Sequence, residues 1–352
     1  MTTGIFVGSF AVVYLVILRW ACRTLPGERW QIFASIPLRK NGSGDWQGLN
    51  ITFYGLIVSA GYTTGSAMVL VMMGAAGVPP VEALFLLAPL FSLCVPAASW
   101  VARIVERKPQ TLTVGGASFV GLLAIPWLAL AVREALGGSH NTGPGLQVIP
   151  AAAAAAVGYA VGEGLGRLAC ISFGCCYGKP LDQCRPLLQR VFSGRGFIFT
   201  GPTKKISYES GLEGRPVAPI QAVTSVICVG AGLLGFYLFL IGKPTASFLT
   251  TLILTQLWRA WSEVFRADYR GGGKISVYQY LALAGVAYGT VVAFAFPLEP
   301  GFAPNLNLGL AALWSPWVLI GLEGLWLAVV YHVGRSKVTG AVIRFHVVSS
   351  EI

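Results

Sequence analysis

Nine long apolar runs, separated by polar connections, set the rhythm of this chain. A helix needs about 20 apolar residues to cross the hydrocarbon core of a bilayer. On that measure the runs predict membrane helices at 4–22, 52–74, 81–102, 113–134, 147–169, 217–241, 245–265, 276–296 and 309–333. The first run lacks a basic start and a small-residue cleavage site, so it reads as a retained helix rather than a signal peptide. Two polar connections are longer than the rest. In 23–51, residues 32–37 are apolar enough to lie along the membrane interface. In 178–216, the segments 197–200 and 205–208, joined through Gly201-Pro202-Thr203-Lys204, predict a short hairpin. A small polar cap over one end of the helices follows.

Composition agrees with the pattern. With 55% hydrophobic and 11% charged residues among 352, the chain falls far outside soluble domains and reads as an all-α, polytopic membrane protein. No nucleic-acid partner and no cofactor are expected. Lysine and arginine are strongly asymmetric: only Arg133 and Lys243 fall on one face, and the other 23 of the 25 fall on the opposite face. By the positive-inside rule the rich face is cytoplasmic, with the N-terminus outside and the C-terminus inside. The cap alone carries Lys179, Arg185, Arg190, Arg195, Lys204, Lys205 and Arg215. Such positives attract anionic lipid at roughly 1 kcal/mol each.

Charge at membrane depth is costly and marks candidate chemistry. Arg167 follows the apolar run 148–158, and Arg259 follows 248–258. Each has a glutamate at i,i+4 spacing, Glu163 for the first and Glu263 for the second, with Arg266 on the same face as Arg259. The two pairs read as one end of a membrane site for an anion, or else as staples between helices. Gly162-x-Gly164-x-Gly166 follows no strand and opens no helix, so it reads as close helix packing rather than a nucleotide loop. The histidines, His140, His332 and His346, fall in loops or the tail and supply no base near the arginines.

Four of the seven cysteines, Cys170, Cys175, Cys176 and Cys184, fall within fifteen residues. Their spacing, C-x4-C-C-x7-C, lacks the paired arrangement of a zinc site. They read as soft packing residues at a helix end, and no metal is expected. The alternative is a thiol of Cys175 or Cys176, activated by nearby Arg167, acting as nucleophile.

The stretch from Gly166-Arg167 through Cys170, Phe173-Gly174-Cys175-Cys176 to Tyr177-Gly178 resembles the signature of the prolipoprotein diacylglyceryl transferase family, approximately G-R-x-G-N-F-x-N-G-E-x-Y-G. Three further stretches fall in the family's order. Phe53-Tyr54-Gly55 resembles its W-Y-G opening, Val114-Gly115-Gly116 its H-G-G helix start, and Arg259-x-x-x-Glu263-x-Phe265-Arg266 its R-x-x-x-E-F-x-R segment. Ala218-Pro219-Ile220-Gln221 is a fainter match to H-P-x-Q. The resemblance spans about 30–296. It implies a core over 23–296 with cap 178–216, an additional helix at 1–22, and an additional helix with basic tail at 297–352.

The resemblance implies transfer of a diacylglyceryl group from an anionic phospholipid such as phosphatidylglycerol in the bacterial inner membrane. Arg167 and Arg259, with Glu263, would carry catalysis by stabilising charge on the departing phosphate. Glu163 would hold the arginines, while Tyr54, Tyr177, Arg266, Gly115 and Gly116 would line the headgroup site. Departures fall on the acceptor half of the reaction: Val114 and Ala218 replace histidines, Cys170 and Phe173 replace asparagines, and Cys175 replaces a glutamate. The family's site faces outward, whereas the charge count turns this face inward. The acceptor expected is therefore not the usual lipoprotein cysteine but another lipid, a phosphorylated alcohol or some other protein thiol. The alternative is a phospholipid-binding or lipid-transport protein without catalysis.

Overall fold

A computed structural model describes residues 3–28, 31–106, 113–136, 146–268, 275–298, 301–335, 342–343 and 350. His140, His346 and most of the basic tail lie outside them. The chain opens with α1 (Thr3–Thr24), then a hairpin of β1 (Ile32–Lys40) and β2 (Trp46–Thr52), then α2 (Phe53–Ala75), α3 (Pro80–Glu106), α4 (Val114–Ala135) and α5 (Val148–Phe173). The cap follows with α6 (Pro186–Phe192), β3 (Phe197–Ile198), α7 (Lys205–Ser210) and β4 (Pro216–Val217). The second half is α8 (Ile220–Leu240), α9 (Pro244–Ser262), α10 (Val277–Ala295), α11 (Leu306–Leu313), α12 (Pro316–Val333) and the short β5 (Val342–Ile343). The protein is an all-α polytopic membrane protein.

Among the described residues, eight helices are long and apolar enough to cross a bilayer. The run at 245–265 does form a helix, α9, but it is not one of the eight. Its Ser247, Thr251, Thr255 and Gln256 are buried, and it packs between α5, α8 and α10. A helix shielded from lipid tolerates polar side chains that a lipid-facing one would not. The run at 309–333 divides into α11 and α12, because the residue before Pro316 is held out of the helical region.

Helix α5 is the centre of the bundle, in contact with α1, α2, α4, α8 and α9. Small residues make this proximity possible, as they do wherever helices pack in lipid. Gly61 and Gly65 on α2 meet Gly158 and Gly162 on α5 with almost no intervening side chain. A Cβ built on Gly65 would stand 2.5 Å from the Gly158 carbonyl oxygen, and one on Gly61 2.8 Å from that of Gly162. Gly164 faces the other way, against Val229 and the Ser225 carbonyl of α8. Gly162 and Gly164 thus serve helix packing, whereas a Cβ on Gly166 would meet nothing within 4 Å.

Two local expectations are corrected. Residues 32–37 belong to a β-hairpin, β1 pairing antiparallel with β2, and β5 adds to the far edge of β2. Thr52 ends the hairpin and caps α2 through its hydroxyl, which accepts from the Gly55 N–H at 3.3 Å. In the cap, 197–198 pairs with 216–217 rather than with 205–208, and the latter residues form α7. Lys204 explains the change: it is fully buried, and its ammonium donates to the carbonyls of Leu25 and Ser172 at 3.0 and 2.6 Å. The chain therefore turns inward at 204, where a hairpin would run back along the surface. Phe197, Phe199, Ile206 and Val217 close the cap core onto Ala21 and Leu25 of the α1 end and Leu168 and Ile171 of α5.

Candidate functional site

Near the cap ends of α5 and α9, two arginines meet one glutamate. Arg167 donates from Nη2 to Oε1 of Glu163, one turn back on α5. Arg259 reaches across from α9, and its Nη2 lies 2.6 Å from both oxygens of the same carboxylate. Tyr159, one further turn back on α5, donates its hydroxyl to Glu163 Oε2 and accepts from Arg259. All three charged side chains are buried. One carboxylate thus serves two guanidinium groups, leaving the cluster with one net positive charge in a medium of low dielectric. The Nε–H groups of Arg167 and Arg259 are buried with no acceptor.

A cavity of about 10 Å³ opens at this cluster, lined by Glu163, Arg167, Thr224, Cys228, Thr255, Trp258, Arg259, Ser262, Glu263 and Arg266. That volume is about one water molecule. Five of the residues singled out from sequence therefore share one space: Glu163, Arg167, Arg259, Glu263 and Arg266.

The i,i+4 pair of Glu163 and Arg167 forms as expected, whereas that of Arg259 and Glu263 does not. Glu263 does not hold Arg259, because α9 ends at Ser262 and continues as a 3₁₀ turn over Glu263–Phe265. Glu263 lies 3.7 Å from Arg266 instead, and Arg266 donates to Asp268 from Nε at 2.8 Å and Nη2 at 2.5 Å. Gly115 stands beside the cluster: a Cβ there would come within 3.1 Å of Arg259 Nη1 and 3.0 Å of the Tyr278 ring. Gly116 faces Val101 of α3. Tyr54 packs its ring on Phe173 with centroids 5.5 Å apart and does not line the cavity. Tyr177 is also set apart from the headgroup role expected for it. Its hydroxyl is committed to the cap, bonded to Ser210 and donating to Glu209 at 3.3 Å. Burial pushes its phenol pKa up to about 12.

The model of the prolipoprotein diacylglyceryl transferase family matches residues 45–295, more than two thirds of the chain. The chain belongs to this family. It is accordingly a multi-pass membrane transferase of the diacylglyceryl transferase type. No curated protein and no solved structure matches it significantly.

The positions where this family member departs from the signature are structurally distinct. Val114, in the place of the family's histidine, is exposed at the first turn of α4, while Ala218 is buried against the cap. Phe173 supplies the face on which Tyr54 packs. Cys170 and Cys175 join Cys176 in a cluster whose three sulfurs all lie within 4.8 Å of one another. Cys184 stays outside, its thiol directed at the carbonyls of Lys179 and Pro180. Residues 177–180 are clamped between the two halves of the protein. Lys179 N–H donates to Phe265 O at 2.9 Å, Ala267 N–H to Tyr177 O at 3.1 Å, and Ala218 N–H to Lys179 O at 3.0 Å. This clamp holds the signature segment against the turn that carries Arg266.

Tyr159, Thr224, Trp258 and Asp268 escaped the sequence reading. Tyr159 had a signal, since it lies one turn before Glu163 on the face that bears Arg167. Trp258, whose indole N–H donates to Thr224 Oγ1 at 3.0 Å, is adjacent to Arg259 in an apolar run and had none.

Proposed function

We propose that the protein transfers a diacylglyceryl group from an anionic phospholipid, such as phosphatidylglycerol, to a nucleophile other than the usual lipoprotein cysteine. The observation that carries this reading is the convergence of Arg167 and Arg259, from separate helices, with a buried and unpartnered Nε–H on each. A buried donor without an acceptor costs about 1–3 kcal/mol, and a phosphate oxygen would satisfy it. Cleavage of the glycerol carbon–oxygen bond leaves negative charge on the phosphate. Fixed guanidinium groups out of water favour that charge most as it develops, and their forked donors fit its oxygens. Glu163 positions both arginines, and Tyr159 positions Glu163.

A headgroup exceeds the present cavity, so binding requires it to open. The substitutions at Val114, Ala218, Cys170, Phe173 and Cys175 remove the groups that would handle a lipoprotein thiol, which is why a different acceptor is proposed. A bacterial inner-membrane location goes with this reading.

The tight seal of Glu163 over both arginines favours a second reading, a protein that holds phospholipid without turning it over. One assay separates the two. Purified protein in detergent, given phosphatidylglycerol and a membrane extract as acceptor source, is expected to release glycerol phosphate. Arg167→Ala and Arg259→Ala should each lower the rate at least about 100-fold while leaving the elution profile unchanged. Phospholipid that copurifies without any release would establish the binder. Unaltered turnover in both variants would remove the arginines from the chemistry.

A further inference from the structure

We propose that Cys170, Cys175 and Cys176 form a binding site for one thiophilic metal cation of the zinc type, held by three thiolates beside the arginine cluster. The inference goes beyond the transferase reading and stands independently of it. Three sulfurs around a single cation at about 2.3 Å lie roughly 3.8–4.0 Å apart. Here Cys170 Sγ and Cys176 Sγ are 4.0 Å apart, and all three sulfurs fall within 4.8 Å of one another. Cys170 and Cys175 are buried and Cys176 is partly so.

The backbone is folded to produce this cluster from a spacing that lacks any paired motif. Helix α5 ends at Gly174 in the left-handed region, with its N–H bonded to Cys170 O at 2.9 Å. The Cys175 N–H returns to the same carbonyl at 3.1 Å. Cys176 then adopts φ +54°, and among the described residues no other non-glycine residue has positive φ. A side chain held there is strained and persists only where its surroundings impose it. The turn brings two consecutive thiols back over the one at the helix end.

Two further features suit a cation bound by anionic sulfur. Arg167 and Arg266 are near enough to act electrostatically on Cys176, and they offset the surplus negative charge of three thiolates around a divalent ion. Gln221, buried beside the cluster, donates its amide nitrogen to Cys175 O at 3.0 Å, yet its amide oxygen is buried without a donor. That oxygen is an acceptor available to a water in the fourth coordination position, which three protein ligands leave open. A role in carrying the transferred group suits the cluster less well. A thiolate that attacked the glycerol carbon would retain the diacylglyceryl group as a thioether, from which sulfur leaves poorly, and turnover would stop after one cycle.

The test is elemental analysis of the full-length protein, purified under reducing conditions after zinc supplementation and dialysis. About one zinc or copper per chain is expected, falling at least about tenfold in Cys170→Ser and in Cys176→Ser but retained in Cys184→Ser. Should the serine variants fail to fold, cobalt added to the metal-stripped wild type provides the second measurement. Thiolate-to-cobalt charge-transfer absorption that appears at one equivalent and vanishes on adding zinc supports the site. Metal-free protein with no cobalt band, a Cys170–Cys176 disulfide in nonreducing mass spectrometry, or metal fully retained in Cys176→Ser would each overturn it. None of these outcomes depends on phosphatidylglycerol turnover, so this inference can fail while the transferase reading survives.

Discussion

At Lys204 the cap buries an amine completely, with two backbone carbonyls as its hydrogen-bond acceptors. Burial pushes its pKa down from 10.5 to about 8, opposed by the nearby charge of Glu28. Between those two values the unfolded chain binds more protons than the folded one, so stability rises as pH climbs from about 8 to about 10.5. Thermal unfolding of the wild type, measured relative to Lys204→Met at pH 7.5, 8.5 and 9.5, should therefore show a growing advantage for the wild type, up to about 3 kcal/mol across the whole window. Parallel curves would mean that the ammonium is solvated. Residues of this kind show what the sequence reveals and what it hides. Arg167, Arg259 and Glu163 were legible because charge in an apolar run stands out against its neighbours. The i,i+4 pair of Glu163 and Arg167 was legible as well, but the partner of Arg259 was not, because the i,i+4 rule assumes a helix that continues, and α9 stops one residue before Glu263. The partner of Arg259 is Glu163, 96 residues away in sequence. The cysteine cluster was hidden for the same reason, since linear spacing does not register the left-handed turn at Gly174 and Cys176.

Among elements, the α2–α5 contact decides where the arginine cluster can form. The two helices approach closely because each offers a pair of glycines four residues apart: Gly61 and Gly65 on one, Gly158 and Gly162 on the other. Gly65→Val would drive branched carbons into the Gly158 carbonyl, where no flexible side chain can yield. Overpacking of this sort costs about 1–3 kcal/mol, and it should lower both thermal stability and phospholipid turnover by displacing Glu163 and Arg167. Gly166→Ala is the matched control, since a Cβ on Gly166 meets nothing within 4 Å. It should leave both readouts near wild type, and equal damage from the two substitutions would refute the packing account. The apolar runs were readable as helices because bilayer thickness sets their length. Of the strands, only 197–198 was readable, and with the wrong partner. Residues 32–37 look the same from composition whether they lie flat on a membrane or pair with 46–52, and only the partner strand resolves the choice.

For the whole molecule, the side of the membrane that bears the cap decides which acceptors can reach the site. By the positive-inside rule, the distribution of lysine and arginine predicts a cytoplasmic cap and arginine cluster, with Lys243 at the far end of α8 on the opposite side. Ser193 and Lys243 are both exposed and occupy opposite ends of the bundle. In spheroplasts treated with a membrane-impermeant maleimide, Lys243→Cys should label at once, whereas Ser193→Cys should label only after lysis, with the parent chain run in parallel to account for native thiols. The consequence reaches the chemistry. A cytoplasmic cap denies the site any acceptor that has already been secreted, and it agrees with the loss of the signature histidines and asparagines at Val114, Ala218, Cys170 and Phe173. Labelling of Ser193→Cys in intact spheroplasts would reverse the orientation, and a secreted lipoprotein thiol would then again be the first acceptor to assay.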